Sequence, residues 1–227
     1  MAYIPSSEEE AKFLREFDPS KYKSPAVAAD TALFALDGSA IKLLLIKRGG
    51  YPYKGMWALP GGFVDIDEDI QASAARELFE EAGISGLYLE QAFVWGRPDR
   101  DPRQRVITVS YIALAEFSSI NPKAGDDAAE AAWFEIKHYK RYEKNGFTYT
   151  EYTLEGPETL RPAVRYPNGR IQQITPVVSG GLAFDHAESI VYSFELLKQK
   201  VREGHFLDSS LDDEASRERS RNAVLSL

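Results

Sequence analysis

The chain has 227 residues, with 27 Lys or Arg against 35 Asp or Glu, so its formal net charge is −8. This length suits one domain with an elaboration, or two small domains, and is ample for a hydrophobic core. The absence of cysteine excludes a disulfide scaffold, a thiolate zinc site and a cysteine nucleophile. The acidic excess argues against electrostatic binding of nucleic acid or anionic lipid over a large surface, because both require a basic face. Any phosphate must therefore be bound locally.

The N-terminal sequence lacks the features of a targeting segment. It has neither the basic nor the apolar region of a secretory signal, and its acidic run is atypical of a transit peptide. No apolar stretch approaches the roughly 20 residues that are needed to cross a bilayer. We therefore expect a cytoplasmic protein with no membrane partner.

The first elements are predicted to be a helix and a β-hairpin. A serine pair, a run of glutamates and three large apolar residues predict a capped helix over about 7–17 that docks by its apolar side. The apolar runs 26–36 and 41–46 are separated by Asp37 and Gly38, which predicts a hairpin with a buried face.

A second helix and three strands are expected next. The apolar residues over 70–82 are spaced as in a helix. Asp69 is a suitable acidic cap for its start, and Gly83 is typical of the residue at which a helix ends. Three strands are then predicted, with an arginine-rich loop between the first two: 87–95, 106–117 and 132–136.

The remainder reads as an insertion, a helix and a tail. Residues about 138–181 are rich in Tyr, Thr and Val, and a Pro-Asn-Gly turn at 167–169 predicts an added β-hairpin. An apolar stripe predicts a helix over about 185–202, and the polar segment 204–227 is expected to be a mobile or loosely attached tail. Residues 1–203 are thus expected to form one α+β domain, in which helices flank a central mixed β-sheet.

Acidic side chains gather on the helix predicted over 70–82. At about 100° per residue, Glu77, Glu80 and Glu81 fall on one face, while an apolar arc that includes Ala75 and Phe79 can face the sheet. Three like charges on one face repel, so a cation is expected there. Oxygen ligands without His or Cys favour Mg²⁺ or Mn²⁺, and a neighbouring glycine-rich loop favours phosphoryl chemistry. The alternative is the solvated acidic face of a surface helix.

A longer motif contains these glutamates. The pattern G-x5-E-x7-R-E-U-x-E-E-x-G-U, in which U is apolar, is matched at every position from Gly62 through Glu68 to the run RELFEEAGI at 76–84. By this motif the chain resembles the Nudix hydrolases. The resemblance implies the Nudix fold, an α/β/α sandwich with a central mixed β-sheet and a loop-helix-loop Nudix box. It also implies divalent metal-dependent hydrolysis of a nucleoside diphosphate linked to another moiety.

The resemblance assigns roles within the box. It implies that the carboxylates of Glu77 and Glu81 bind the metal directly. Glu80 is implied as a further ligand, directly or through water, and the carbonyl oxygen of Gly61 as another. Arg76 resembles the arginine that orients the glutamates by ion pairing, and Glu68 the residue that closes the loop against the helix. Gly61 and Gly62 have no Cβ to obstruct a close approach, and they are candidate substrate-binding residues.

Many enzymes of this family take a further carboxylate from a later loop as a base or an extra ligand. The candidates here are Asp126, Asp127 and Glu130. Asp127 lies at the distance before the following strand that best matches the position of this further carboxylate. A solvated acidic loop is the alternative for each of the three.

One short loop carries four arginines that are candidates for substrate binding: Arg97, Arg100, Arg103 and Arg105. Guanidinium groups match phosphate oxygens in pairs, so the loop could hold a pyrophosphate or a sugar phosphate. The alternative is that Asp99 and Asp101 pair with these arginines in an ordinary loop. This loop and the segment LAFDHAESI at 182–190 are similar to the ADP-ribose pyrophosphatase branch of the family. They are also similar to related regulators in which a Nudix domain senses a ligand for a winged helix.

The leading hypothesis is a Nudix pyrophosphohydrolase that converts ADP-ribose or a similar nucleoside diphosphate sugar to AMP and a sugar phosphate. Other Nudix substrates, such as NADH or oxidised nucleotides, and a non-catalytic ligand sensor are the alternatives. A winged helix needs roughly 60 residues beyond the last helix, so the short tail and the intact box favour the enzyme. Three aromatic residues are candidates for stacking on a nucleotide base: Tyr51, Tyr53 and Trp57. The alternative role for each is packing in the core or in a loop. The resemblance implies a homodimer, and no nucleic-acid partner is expected.

Overall fold

A computed structural model of the protein describes residues 3–123, 128–205 and 214–227. The α-helices of these residues are α1 Glu8–Glu16, α2 Ile70–Ala82, α3 His186–Arg202 and α4 Glu214–Ser226. The strands are β1 Ala26–Asp37, β2 Ala40–Arg48, β3 Trp57–Ala58, β4 Gly61–Phe63, β5 Glu90–Trp95, β6 Val106–Glu116, β7 Ala128–Lys144, β8 Phe147–Glu155, β9 Thr159–Leu160, β10 Ala163–Pro167 and β11 Thr175–Val178. Short 3₁₀ turns lie at Pro19–Lys21, Phe117–Ser119 and Ile171–Gln173.

These strands form one mixed β-sheet with helices on both faces. Its order is β11-β10-β8-β7-β2-β1-β6-β5, and β3, β4 and β9 pair with β2, β1 and β8. β1 runs parallel to β6 and antiparallel to β2. Side chains alternate along β1, so Leu33 packs with Leu78 of α2 whereas Phe34 packs with Phe194 of α3. The predicted α+β class and the α/β/α layering are confirmed.

The N-terminal helix forms where it is predicted, but it does not dock. Ser7 accepts a hydrogen bond from the backbone N–H of Glu10 at 3.2 Å, as an N-cap does. No residue of α1 is buried, and Phe13, Leu14 and Phe17 are all exposed. The predicted docking is therefore wrong for the described part of the chain, because local capping suffices to form this helix.

The acidic helix α2 has the predicted ends. Asp69 accepts a hydrogen bond from the N–H of Gln71 at 2.9 Å, and Gly83 ends the helix with a φ of 69°. The predicted apolar arc is too wide, since Ala75 and Phe79 are exposed. Only the narrower stripe that faces β1 is buried, and it consists of Ala74, Leu78 and Ala82.

The insertion adds strands to the central sheet, and these include the antiparallel pair β10 and β11 of the predicted hairpin. β7 is one strand of 17 residues, so the strand predicted over 132–136 forms but is much longer than predicted. It pairs with β2 along its first half and with β8 along its second half. The predicted turn at 167–169 is confirmed, because it begins the connection between the antiparallel strands β10 and β11.

The tail contains a packed helix. Ala223 and Val224 of α4 are 2% and 0% exposed, in the same apolar cluster as Phe194 and Val201 of α3. The expectation of a loosely attached tail is thus wrong for 214–226, because Ala223, Val224 and the partly buried Leu225 pack on the core. The limit of the domain at residue 203 stays a prediction. Among the described residues, none of the helices has the length and hydropathy that a membrane crossing requires.

Candidate active site

A cavity of about 420 Å³ opens where the end of β2, the start of β4, α2 and the arginine loop meet. Its charged lining has two signs. Carboxylates line it from α2 and β1, and guanidinium groups line it from β2 and the arginine loop. The predicted box residues that line it are Gly61, Gly62, Arg76, Glu77, Glu80 and Glu81. A cavity with both signs can hold an anionic ligand together with cations that bridge it to the carboxylates.

The three glutamates of α2 enter this cavity with different degrees of burial. The side chain of Glu80 is 37% exposed, that of Glu77 is 14% exposed, and Glu81 is buried. Glu81 accepts a hydrogen bond from the N–H of Gly61 at 2.8 Å. Burial raises the pKa of the Glu81 carboxyl to about 8, and the nearby charge of Glu77 adds to this. Without a cation the protonated form of Glu81 is therefore favoured at neutral pH, and a bound cation would favour the ionised form.

The two glycines of β4 are required by close packing. A Cβ on Gly62 would lie 2.4 Å from Oε1 of Glu77, and a Cβ on Gly61 would lie 2.4 Å from the carbonyl oxygen of Ala29. Either atom would force the carboxylate or the neighbouring strand to move. These positions thus keep the backbone of β4 against the carboxylates.

Arg76 connects the loop to the helix. Its Nη1 atom donates to Oε1 of Glu77 at 2.8 Å and to Oε2 of Glu80 at 2.9 Å. Its Nη2 atom donates to Oε2 of Glu68 at 2.9 Å and to the carbonyl oxygen of Phe63 at 3.1 Å. The hydrogen bonds with Glu68 and Glu77 raise the pKa of Arg76. This geometry matches the ion pairing and loop closure that the family resemblance implies for Arg76 and Glu68.

The donor set fits a hard divalent cation. All the candidate ligands are oxygen atoms, and burial raises the pKa of both Glu77 and Glu81. Within the described ranges Glu81 forms no salt bridge. With Arg76 hydrogen-bonded to Glu77 and Glu80, no three His, Asp or Glu side chains of these ranges are gathered as a metal-binding group. Arg76 already engages Glu77 and Glu80, so a metal must compete with its hydrogen bonds.

Two buried residues of the cavity escaped the sequence analysis. Asp30 of β1 and His186 of α3 both line it, with Oδ2 of Asp30 and Nε2 of His186 3.6 Å apart. The N–H of Leu59 donates to Nδ1 of His186 at 2.8 Å. Burial raises the pKa of Asp30 to about 7 and lowers that of His186 to about 4. A lone aspartate inside the apolar run 26–36 was the signal that could have identified this site.

The arginine loop divides into residues that line the cavity and residues that do not. Arg100 and Arg103 line it, whereas Arg97 and Arg105 are not among its lining residues. Nη2 of Arg97 lies 3.4 Å from Oε1 of Glu188 in α3, and Arg105 donates to the carbonyl oxygen of Arg97 at 3.0 Å. The predicted set of four is therefore not gathered at one place.

The two cavity arginines have acidic partners. The side chain of Arg103 donates two hydrogen bonds to Asp101, at 2.7 and 3.1 Å. The alternative prediction, that aspartates of the loop pair with its arginines, is therefore confirmed for Asp101. Arg100 donates to both carboxylate oxygens of Asp185, at 2.8 and 2.6 Å. Asp185 was not predicted as a partner. A phosphate that binds here meets guanidinium groups already held in place.

A further arginine and several aromatic residues, Phe63 among them, line the cavity. Arg48, at the end of β2, lines the cavity, and its Nε atom donates to the carbonyl oxygen of Pro52 at 2.9 Å. Phe184 and the 84%-exposed Tyr51 also line it, and Tyr53 packs on Phe184. Trp57 belongs to the core and donates to Glu158 at 2.6 Å, so the packing alternative holds for it.

The predicted base lies outside the described residues. Asp126 and Asp127 both fall there, so the structure does not test them. Glu130 is described, in β7 opposite Lys47 of β2, and it is not a lining residue of the cavity.

The sequence pattern of the NUDIX domain family matches residues 25–152, which is more than half of the chain. The chain belongs to the Nudix family. This Nudix chain is 39% identical over 130 residues to an ADP-ribose pyrophosphatase of Methanocaldococcus jannaschii, a match that covers 56% of the chain and 73% of that enzyme. It is 45% identical over 112 residues to the ADPR responsive transcriptional repressor NtrR of Acinetobacter baylyi, covering 48% of the chain and 45% of the repressor. The Nudix chain thus spans less than half the length of that repressor.

Solved structures confirm the Nudix fold. A MutT/nudix family protein from Enterococcus faecalis matches with a TM-score of 0.71 and 27% identity, covering 100% of this chain and 88% of that one. The NUDIX domain of Shewanella oneidensis NrtR, complexed with ADP ribose, matches with a TM-score of 0.58 and 26% identity, covering 83% and 98%. The predicted family resemblance and the predicted fold class are both confirmed.

Proposed function

We propose that this protein is a divalent metal-dependent pyrophosphohydrolase that cleaves ADP-ribose or a similar nucleoside diphosphate sugar to AMP and a sugar phosphate. One observation carries the proposal: a single cavity is lined by Glu77 and Glu81 and also by Arg100 and Arg103. The relatives support it, because one is named an ADP-ribose pyrophosphatase and the structure of another contains ADP ribose.

In this proposal the metal is held by oxygen atoms of Glu77, Glu80, Glu81 and the carbonyl of Gly61. When bound, Mg²⁺ or Mn²⁺ neutralises phosphate oxygens and lowers the pKa of a coordinated water. Arg76 orients the glutamates through its hydrogen bonds to Glu77 and Glu80. Asp127 remains the candidate for accepting the proton of the attacking water.

The arginines bind the diphosphate and what is attached to it. The guanidinium of Arg103 is 41% exposed while it is paired with Asp101, so its outer edge is free to meet phosphate oxygens. Arg100 is buried in its ion pair with Asp185 and forms part of the cavity wall. Arg97 and Arg105 do not line the cavity, so direct contacts with the substrate are proposed only for Arg100 and Arg103.

The test is a substrate panel with identification of the products. The kcat/KM for ADP-ribose, NADH, nucleotide sugars and oxidised nucleoside triphosphates is measured with Mg²⁺ or Mn²⁺. We expect ADP-ribose or a similar sugar nucleotide to rank first, with AMP among the products. Glu81→Gln is expected to lose turnover while remaining folded, and Glu9→Gln, on the exposed helix α1, is the matched control. Near wild-type turnover by Glu81→Gln contradicts the mechanism.

A ligand sensor is the second candidate, because the repressor relative is 45% identical. Stoichiometric ADP-ribose binding without hydrolysis, under either metal, supports the sensor and contradicts the enzyme. Light scattering tests the homodimer that the family resemblance implies. A DNA shift assay tests the expectation that nucleic acid is not a partner.

A further inference from the structure

The cavity residue Phe184 and the residue that packs on it, Tyr53, both have left-handed backbones. Phe184 has a φ of 49° and Tyr53 a φ of 59°. Their rings meet edge to face, with centroids 4.7 Å apart. Bulky residues rarely adopt this conformation, and such strained residues cluster at active sites and ligand clamps. The conformation persists only where surrounding contacts impose it.

Those contacts hold Phe184 from both sides along the chain. The N–H of Ala183 donates to the carbonyl oxygen of Trp57 at 2.8 Å, which attaches the preceding residue to β3. The following residue, Asp185, is bound by both hydrogen bonds of Arg100. The position of the Phe184 ring is therefore fixed relative to the cavity.

The ring of Phe184 lies beside two guanidinium groups. The Cζ atom of Arg48 is 5.0 Å from its centroid, and that of Arg103 is 5.8 Å away. Arg103 is neutralised by Asp101, whereas Arg48 forms no salt bridge within the described ranges. The Nε atom of Arg48 donates to the backbone carbonyl of Pro52, and the carboxylates of Glu81, Asp101 and Asp30 act on its charge without forming an ion pair with it.

An aromatic ring attracts a guanidinium group without cancelling its charge. A carboxylate in the place of the ring would orient Arg48 equally well but would compete with any incoming anion. We propose that Phe184 is a positioning residue, which holds the guanidinium of Arg48 toward the cavity so that it binds a phosphate of a nucleoside diphosphate. This inference rests on the ligand class of the proposed function and not on hydrolysis.

The experiment measures binding of α,β-methylene-ADP, a nucleoside diphosphate whose phosphate bridge resists hydrolysis. Calorimetry with Mg²⁺ compares the wild type, Phe184→Leu, Arg48→Ala and the double variant. We expect Phe184→Leu to weaken binding by about 3- to 10-fold, as loss of a partly desolvated cation–π contact implies. In the Arg48→Ala background the same change is expected to have little further effect. Phe184→Tyr keeps the ring and is expected to bind within about 2-fold of the wild type.

Additive effects in the double variant overturn the inference, as does wild-type affinity in Phe184→Leu. If Phe184→Leu does not fold, Phe184→Met replaces it, because Met keeps apolar volume and also lacks a ring. Turnover of ADP-ribose is measured on the same proteins. A wild type that hydrolyses ADP-ribose without coupling between Phe184 and Arg48 overturns this inference alone. A wild type that neither binds the probe nor hydrolyses ADP-ribose overturns the proposed function as well.

Discussion

Arg100 and Asp185 form a two-pronged ion pair whose side chains are only 5% and 3% exposed, although the residues lie far apart in the chain. The pair joins the arginine loop to the residue just before α3. Since Phe184 and His186 flank Asp185 and line the cavity, the same ion pair fixes that part of the cavity wall.

Breaking this pair is expected to destabilise the fold. Asp185→Asn leaves the buried charge of Arg100 without its counter-ion, and the free energy of unfolding should fall by about 3–5 kcal/mol. Urea denaturation measures the change. Asp101→Asn is the matched control, because its partner Arg103 is 41% exposed and water can solvate the guanidinium. An equal loss in both variants contradicts the special role of the buried pair.

The stability of the metal-free protein is expected to fall as the pH rises from 6.5 to 8. Burial raises the folded-state pKa of Glu81 to about 8, and those of Asp30 and Glu188 to about 7, so folding requires protons that the unfolded chain releases above its ordinary carboxyl pKa. Burial lowers the pKa of His186 to about 4, so this residue makes stability rise with pH. That effect is confined to pH values below 6.5 and does not offset the decline.

This pH dependence is measured by urea denaturation in EDTA at a series of pH values. Glu81→Gln removes one of the three carboxyl groups and should flatten the decline. Added Mg²⁺ should also flatten it in the wild type, because the cation stabilises ionised carboxylates. If neither Glu81→Gln nor Mg²⁺ alters the decline of the unfolding free energy with pH, the raised pKa of Glu81 is not its cause.

Two neighbouring arginines of the arginine loop are expected to differ in substrate binding. Arg103 lines the cavity and Arg105 does not, although only one residue separates them. Arg103→Ala should raise the KM for ADP-ribose by about 10-fold or more, as loss of a charge-assisted contact implies. Arg105→Ala should leave the KM within about 2-fold. Steady-state kinetics provides the measurement, and equal effects contradict the geometry.

Helix α4 is expected to contribute to stability. Val224→Ala removes two buried carbon atoms from a fully buried side chain and should lower the free energy of unfolding by about 1–2.5 kcal/mol. Asn222→Ala, at an exposed position of the same helix, should change it little. Chemical denaturation of both variants checks this. A Val224 variant as stable as the wild type contradicts the packing.

Local spacing explains why much of the candidate site could be predicted. The helix α2, its cap at Asp69, its end at Gly83 and the glutamates on one face all follow from residues within one short segment. The family resemblance also implied that Arg76 pairs with glutamates of the box, whereas its ion pair with Glu68 was not predicted. No pairing with a distant strand was needed to infer any of these.

Contacts between distant segments could not be predicted in this way. Arg100 meets Asp185, and Asp30 meets His186, only after β1, the arginine loop and α3 have come together. The length of β7 was missed for a different reason. Its pairing shifts between Lys137 and Lys140, and His138 has a φ of 49°, so the alternation of its side chains is interrupted there.

The long strand β7 joins the insertion to the rest of the sheet. Its 17 residues, at about 3.3 Å each, reach at most roughly 55 Å, because the irregular pairing between Lys137 and Lys140 bends the strand. It is hydrogen-bonded to β2 near one end and to β8 near the other, where the chain turns at Asn145. A probe or antibody fragment fixed at that turn would report the orientation of the whole domain, and would serve as a marker in imaging so small a particle.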